Sequence, residues 1–139
     1  MADEIYTVHA MIKGVDQTPR KLSLVASLVR GRSVADASVI LDHTPKRAAL
    51  AIKKAIMSAS ANATNNHGLD SKSLAISTLS VTAGPRLRRY KPASRGRALP
   101  FAKKSSHILV EVTGTLKQVK KPAAKKAEAA EKPAKKEEK

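Results

Sequence analysis

The stretch "GPRLRRYKPASRGRALPFAKKSSH", residues 84–107, decides how this chain folds. From Gly84 to Lys104 it carries eight basic side chains and no acid: Arg86, Arg88, Arg89, Lys91, Arg95, Arg97, Lys103 and Lys104. A surface loop ordinarily mixes both signs. Apolar runs flank the stretch on each side, "LAISTLSVTA" (74–83) and "SHILVEVTG" (106–114). In the second run Ile108, Val110 and Val112 alternate with Glu111, the period of a half-buried strand. In the first run Leu74 and Ile76 share one phase, while Leu79, Val81 and Ala83 share the other. The slip near Ser77-Thr78 predicts a bulge or burial on both faces. Paired antiparallel, the two runs turn the basic stretch into the arms of a β-hairpin. About ten residues per arm at about 3.3 Å each gives a reach of about 30 Å.

Such a ribbon is costly. A two-stranded ribbon is marginal in water, and this one repels itself. The expectation is that it becomes ordered when phosphates surround it, with Arg supplying forked donors for their oxygens. Pro85, Pro92 and Pro100 restrict the backbone, while Gly84 and Gly96 free it at two points.

The rest of the composition agrees. The formal net charge is +16 over 139 residues, from 27 basic and 11 acidic side chains. Charge on this scale opposes a compact state unless a polyanion or salt screens it. It points first to nucleic acid and second to an anionic membrane surface. The aromatics are Tyr6, Tyr90 and Phe101 alone, so the core must be aliphatic and base-stacking platforms are disfavoured. Without Cys there is no disulfide, Cys-bound zinc or Cys nucleophile. No apolar run approaches the roughly 20 residues of a membrane span. The opening "MADEIYTVHA" has no apolar signal core, which predicts a cytoplasmic protein.

Residues 117–139, "KQVKKPAAKKAEAAEKPAKKEEK", hold nine Lys and four Glu among Ala and Pro. They offer too little apolar surface to offset ordering entropy, which predicts a disordered tail. The remaining residues, 1–116, form one domain with 18 basic and 7 acidic side chains.

Within that domain, "EIYTVHAMI" alternates as a strand. Thr18-Pro19 caps and opens a first helix, with Leu22, Val25, Ala26 and Val29 inward and Gly31 as its stop. Ser33 caps a shorter second helix, with Asp36 near its start and Val34, Ala37 and Leu41 inward. Thr44-Pro45 predicts the start of a third helix, running to about Asn66. Ala48, Ile52, Ala55, Ile56, Ala59 and Ala63 fall on one side of it, while Lys46, Arg47, Lys53 and Lys54 cluster opposite.

Catalytic chemistry finds no foothold. His9, His43, His67 and His107 form no metal-spaced pair, no Gly-rich loop follows a strand, and no serine sits in a nucleophile elbow. No enzyme activity, cofactor or metal is expected. An architectural DNA-binding protein with β-ribbon arms is the second reading; it needs a large apolar dimer interface that a small aliphatic body lacks. A cationic membrane-active protein would need an amphipathic stretch with large apolar residues.

"KLSLVASLVRG" (21–31), "SASANATNNHG" (58–68), Gly84-Pro85, "GRA" (96–98) and "KKSSHI" (103–108) together carry a resemblance. Over roughly residues 5–113 the chain resembles the bacterial large-subunit ribosomal protein twenty-two family. The resemblance implies an α+β fold: three helices packed on a three-stranded antiparallel sheet, with a long protruding basic β-hairpin. It implies a structural constituent of the large subunit that binds its ribosomal RNA, supports assembly and touches neighbouring ribosomal proteins. It also implies a hairpin tip lining the nascent-peptide exit tunnel, at Lys91, Pro92, Ala93, Ser94, Arg95, Gly96 and Arg97. Pro92-Ala93-Ser94 stands where the family often has Pro-Arg-Ala. The expected RNA contacts on the body are Arg20, Lys21, Lys46, Arg47, Lys53 and Lys54. On the hairpin they are Arg86, Arg88, Arg89, Lys91, Arg95, Gly96, Arg97, Lys103, Lys104, Ser105 and His107.

Overall fold

The computed structural model describes residues 5–117. The tail expected at 117–139 therefore lies, but for Lys117, outside the described residues. Strand β1 (Tyr6–Val15) leads into helix α1 (Pro19–Val29) and helix α2 (Val34–Asp42). Helix α3 (Arg47–Ala61) follows, then the long strands β2 (Ala75–Pro92) and β3 (Ala98–Gly114). The three strands form one antiparallel sheet in the order β1-β3-β2. The α+β expectation holds.

The alternation read in the sequence sets the two faces of the sheet. Val8, Ala10, Ile76, Leu79, Ile108, Val110 and Val112 are buried on the face that the helices cover. His9 and Glu111 pair on the opposite face. Between Ile76 and Thr78 the pairing with β3 shifts, so Ser77 is the extra residue of a bulge. That bulge produces the phase slip and keeps Ile76 and Leu79 both inside.

All the helix faces read from periodicity point inward. Leu22, Val25, Ala26 and Val29 of α1 are buried, as are Ala37 and Leu41 of α2. Val34 is only partly buried, packed against the core edge. Ser33 caps α2 by accepting from the Asp36 amide at 3.1 Å. On α3, Ala48, Ala49, Ile52, Ala55, Ile56 and Ala59 are buried, and the small residues let it lie close on the sheet.

The start of α3 departs from expectation. Its N-cap is Lys46, not Thr44. The Thr44 hydroxyl instead donates back to the Ile40 carbonyl at 2.7 Å, finishing α2, so Thr44-Pro45 belongs to the preceding turn. At its other end the helix widens into a π-type turn over Asn62–Asn66, which keeps Ala63 buried before Gly68 (φ 64°) ends the run.

Beyond Ser106 the sheet narrows to two strands. Pairing continues from Arg86↔Lys104 to Pro92↔Ala98, a basic ribbon of seven rungs. Every residue from 86 to 104 is exposed except the partly buried Ala93.

Candidate nucleic-acid interface

The ribbon leaves the body at a built pivot. Val15 and Ser106 are partners, but the register shifts between Ile12 and Val15, so β1 bulges there. Gly14 takes φ 73° in that bulge and its amide donates to His107 Nδ1 at 3.0 Å. On the other side, the register shifts between Ala83 and Arg86, so Gly84 and Pro85 together oppose Ser105. Both neighbours of β3 thus bulge against residues 105–107, and bulges add local twist and bend. Ser106 is fully buried at this point, its hydroxyl donating to the Gln17 carbonyl at 2.6 Å. The Ser105 hydroxyl donates to the Pro85 carbonyl at 2.8 Å.

Gly84 is needed here for space. A Cβ at that position would lie 2.6 Å from Ser105 Oγ and 3.1–3.2 Å from the Ser105 and Ser106 backbone. Gly96 is needed for conformation. At the far end Arg95 (φ 59°, ψ 38°) and Gly96 (φ 70°) are both left-handed. They close a loop in which the Ala93 amide donates to the Arg97 carbonyl at 2.7 Å.

Strand register sorts the arm side chains onto two faces, because directly opposed residues share a face. One face carries Arg86 opposite Lys104, Arg88 opposite Ala102, and Tyr90 opposite Pro100. The other carries Leu87 opposite Lys103, Arg89 opposite Phe101, and Lys91 opposite Leu99. Each rung of this second face sets a cation against an apolar side chain, and the Lys91 ammonium lies 5.1 Å from the centre of the Phe101 ring. The Arg86–Lys104 pair on the first face sets like charges side by side. In water this pair opposes folding; an anion between the two would reverse its sign.

The body cations expected from the sequence divide into three sets. Lys21 from α1, Lys46 and Arg47 from the start of α3, and Lys103 and Lys104 from the returning arm surround one open cleft. Arg20, Arg86, Lys104 and Ser105 surround a smaller hollow at the hairpin root. Lys53 is drawn to the Asp42 carboxylate, and Lys54 stays exposed on the outer side of α3. Asp16 pairs with Lys103 at 3.1 Å, the single described acid that reaches the arms.

The starts of α1 and α3 fit this setting. Neither has a side-chain cap or an acid in its first turn, whereas α2 has both. Helix N-termini carry partial positive charge, so both add to the field of the cleft.

Sequence reading missed the apolar part of the cleft wall. Leu24, Leu50 and Met57 are well exposed, and all three line hollows beside these cations. The signal was present: Leu24 lies outside the inward stripe of α1, and Leu50 and Met57 outside that of α3. Asp16 and Gln17, in the turn after β1, also line the cleft and carry no pattern that periodicity could find.

Among the described residues no group of three His, Asp or Glu could hold a metal, and no helix is long and apolar enough to cross a membrane. A family profile described as "Ribosomal protein L22p/L17e" matches residues 10–113. Three curated proteins called "Large ribosomal subunit protein uL22" are similar to this chain. That of Metamycoplasma hominis is 47% identical over 115 residues, covering 81% of this chain and 89% of the relative. That of Pediococcus pentosaceus is 43% identical, covering 81% and 96%. That of Metamycoplasma arthritidis is 41% identical, covering 96% and 70%.

Proposed function

The chain belongs to the ribosomal protein L22p/L17e family, a structural, non-enzymatic constituent of the large ribosomal subunit, and from that premise we propose how it is held there. The body and both hairpin arms bind large-subunit ribosomal RNA, and the hairpin reaches inward with its tip beside the nascent peptide. One observation carries this reading. Eight cations lie on a ribbon whose described acid neighbours number one, Asp16. RNA phosphates are the partner that turns this repulsion into attraction, and they do so in proportion to the cations engaged.

The parts take different tasks. The first arm face, with Arg86, Arg88 and Lys104, gathers phosphates close to the body. The second face alternates cations with Leu87, Leu99 and Phe101, and so tolerates contact with exposed bases as well as phosphates. Arg95 lies within the tight left-handed turn, Arg97 follows it, and both stand at the tip with Lys91. Ser105 and His107 act at the pivot, aiming the arms through the Pro85 carbonyl and the Gly14 amide. Neighbouring ribosomal proteins meet what RNA leaves uncovered on the body.

Fractionating a cell lysate on a sucrose gradient tests the reading. The protein is expected to travel with large subunits and to be stripped from them by high salt. Recovery in the free or nucleoid fractions, with large subunits lacking it, would overturn the proposal. For the tip, a photo-crosslinker at Ser94 is expected to capture nascent chains on translating ribosomes; capture of ribosomal RNA alone would remove the peptide from this account.

A further inference from the structure

The cleft at the hairpin root does not end at Arg47. A hollow of about 600 Å³ lies between the starts of α1 and α3 and the returning arm, and Leu24, Val25 and Ala48 give it an apolar wall. A second hollow of about 410 Å³ runs on along the outer side of α3, walled by Val15, Leu50, Ala51 and Met57. Asp16, Gln17 and Arg47 line both hollows, so Arg47 stands on the ridge between them. Leu24 is 68% exposed, Leu50 70% and Met57 58%. Large apolar side chains this open, strung along a line of cations, call for an occupant.

We infer that this double groove is a seat for an unpaired segment of RNA, with bases in the two apolar hollows and phosphates on the cations of the rim. The inference rests on the RNA-binding reading above and sharpens it to a strand type. Charge complementarity selects a polyanion: Lys21, Lys46, Arg47, Lys54, Lys103 and Lys104 line the groove, and its one acid, Asp16, is already paired with Lys103. Shape and polarity select an unpaired strand. An A-form duplex offers phosphates and 2′-hydroxyls across a wide, shallow groove and keeps its bases stacked. It could satisfy the cations, yet would leave Leu24, Leu50 and Met57 facing water. A splayed strand alternates flat apolar bases with phosphates, and the groove alternates apolar hollows with cations. The Arg47 guanidinium on the ridge offers a planar surface to stack on the base of either hollow, as arginines do in RNA complexes.

The test uses the full chain and fluorescence anisotropy with three labelled probes: a short single-stranded RNA, an abasic oligomer with the same phosphates, and an RNA duplex. The intact protein is expected to prefer the base-bearing strand over the abasic one by about fivefold, the gain from covering part of an exposed leucine. The variant Leu24→Ser/Leu50→Ser/Met57→Ser is expected to lose that preference and keep the salt slope, because no phosphate contact goes with it. Replacing Lys21 and Lys46 by Gln is expected to do the reverse, lowering the slope by about 0.7 for each cation while the base preference stays. The three apolar residues are exposed, so their replacement spares the core, and the abasic comparison needs no variant.

Equal binding of base-bearing and abasic strands by the intact protein would overturn the inference. So would a base preference that survives the serine variant, which would move base contact to Tyr90 or Phe101 on the arms. Displacement of the RNA by an acidic, leucine-bearing peptide from the intact protein, but not from the serine variant, would give the groove to a protein partner instead. If large-subunit ribosomal RNA itself binds with no salt dependence, the underlying reading falls; if it binds steeply while base preference is absent, only the groove assignment falls.

Discussion

Replacing Gly84 by alanine adds one methyl group at the root of the hairpin, and the consequence can be worked through atom by atom. The new Cβ would sit 2.6 Å from Ser105 Oγ, which must swing aside and give up its 2.8 Å bond to the Pro85 carbonyl. That bond is exposed, and its loss costs about 0.5 kcal/mol. The Cβ also meets Ser105 C and Ser106 N at 3.1 and 3.2 Å. These backbone atoms cannot easily retreat, because Ser106 is fully buried and tied to Gln17. Overpacking against such a site costs about 1–2 kcal/mol. Against this, alanine restricts the unfolded chain and returns about 0.4–1 kcal/mol. The net expectation is a loss of about 1 kcal/mol in urea denaturation. A thermodynamic cycle isolates the cause. Ser105→Ala removes the Oγ obstacle, so the double variant is expected to be more stable than the sum of the single effects by about 0.5 kcal/mol. A stabilised Gly84→Ala protein, or strictly additive effects, would refute the view that this glycine exists to let β2 and β3 approach.

Three further outcomes are expected. In hydrogen exchange on the free protein, amides of the arms from 86 to 104 are expected to exchange fast while buried α3 stays protected, since the ribbon has only two strands and opposes Arg86 to Lys104; strong protection of the arms without RNA would count against their dependence on phosphate. Changing Arg88, Arg89, Arg95 and Arg97 together to Gln is expected to lower the salt slope for ribosomal RNA by about 3 while leaving the melting transition in place. Ile108→Ala, in the fully buried centre of β3, is expected to cost about 2–5 kcal/mol by denaturation, whereas Asp42→Asn, which breaks the exposed pair with Lys53, should cost less than about 1 kcal/mol.

Much of the body was legible because its signals are local. The stripes on α1, the second helix and α3 are helical-period patterns, and each named residue turned out inward. The Ser77 bulge was readable because a bulge shifts the strand period by one, and the phase of Leu74–Ala83 changed there. Thr44-Pro45 misled for an equally local reason: the pair suits a helix start, but the hydroxyl found the Ile40 carbonyl behind it first. What no local pattern could supply was juxtaposition. Lys21, Lys46 and Lys103 are far apart in sequence and meet only because α1, α3 and the returning arm converge at the pivot. Asp16 meets Lys103 for the same reason. The hairpin itself was plain from its charge; the two glycine-bearing bulges that aim it were not, because a bulge is defined by the partner strand.

The central place of β3 has a consequence for the order of events during synthesis. β1 and β2 do not pair with each other; β3 is the strand that joins them in the sheet. The earliest and middle parts of the body therefore wait for the strand made last, and Tyr6 must find Gly114 across nearly the whole described length. Such distant pairing makes for slow closure. While the ribosome makes this chain, its helices can form, but Ile76 and Val8 lack their shared strand partner until Val112 has emerged. The same strand that completes the core also carries the returning arm, so the ribbon and the sheet that anchors it are finished by a single stretch of chain.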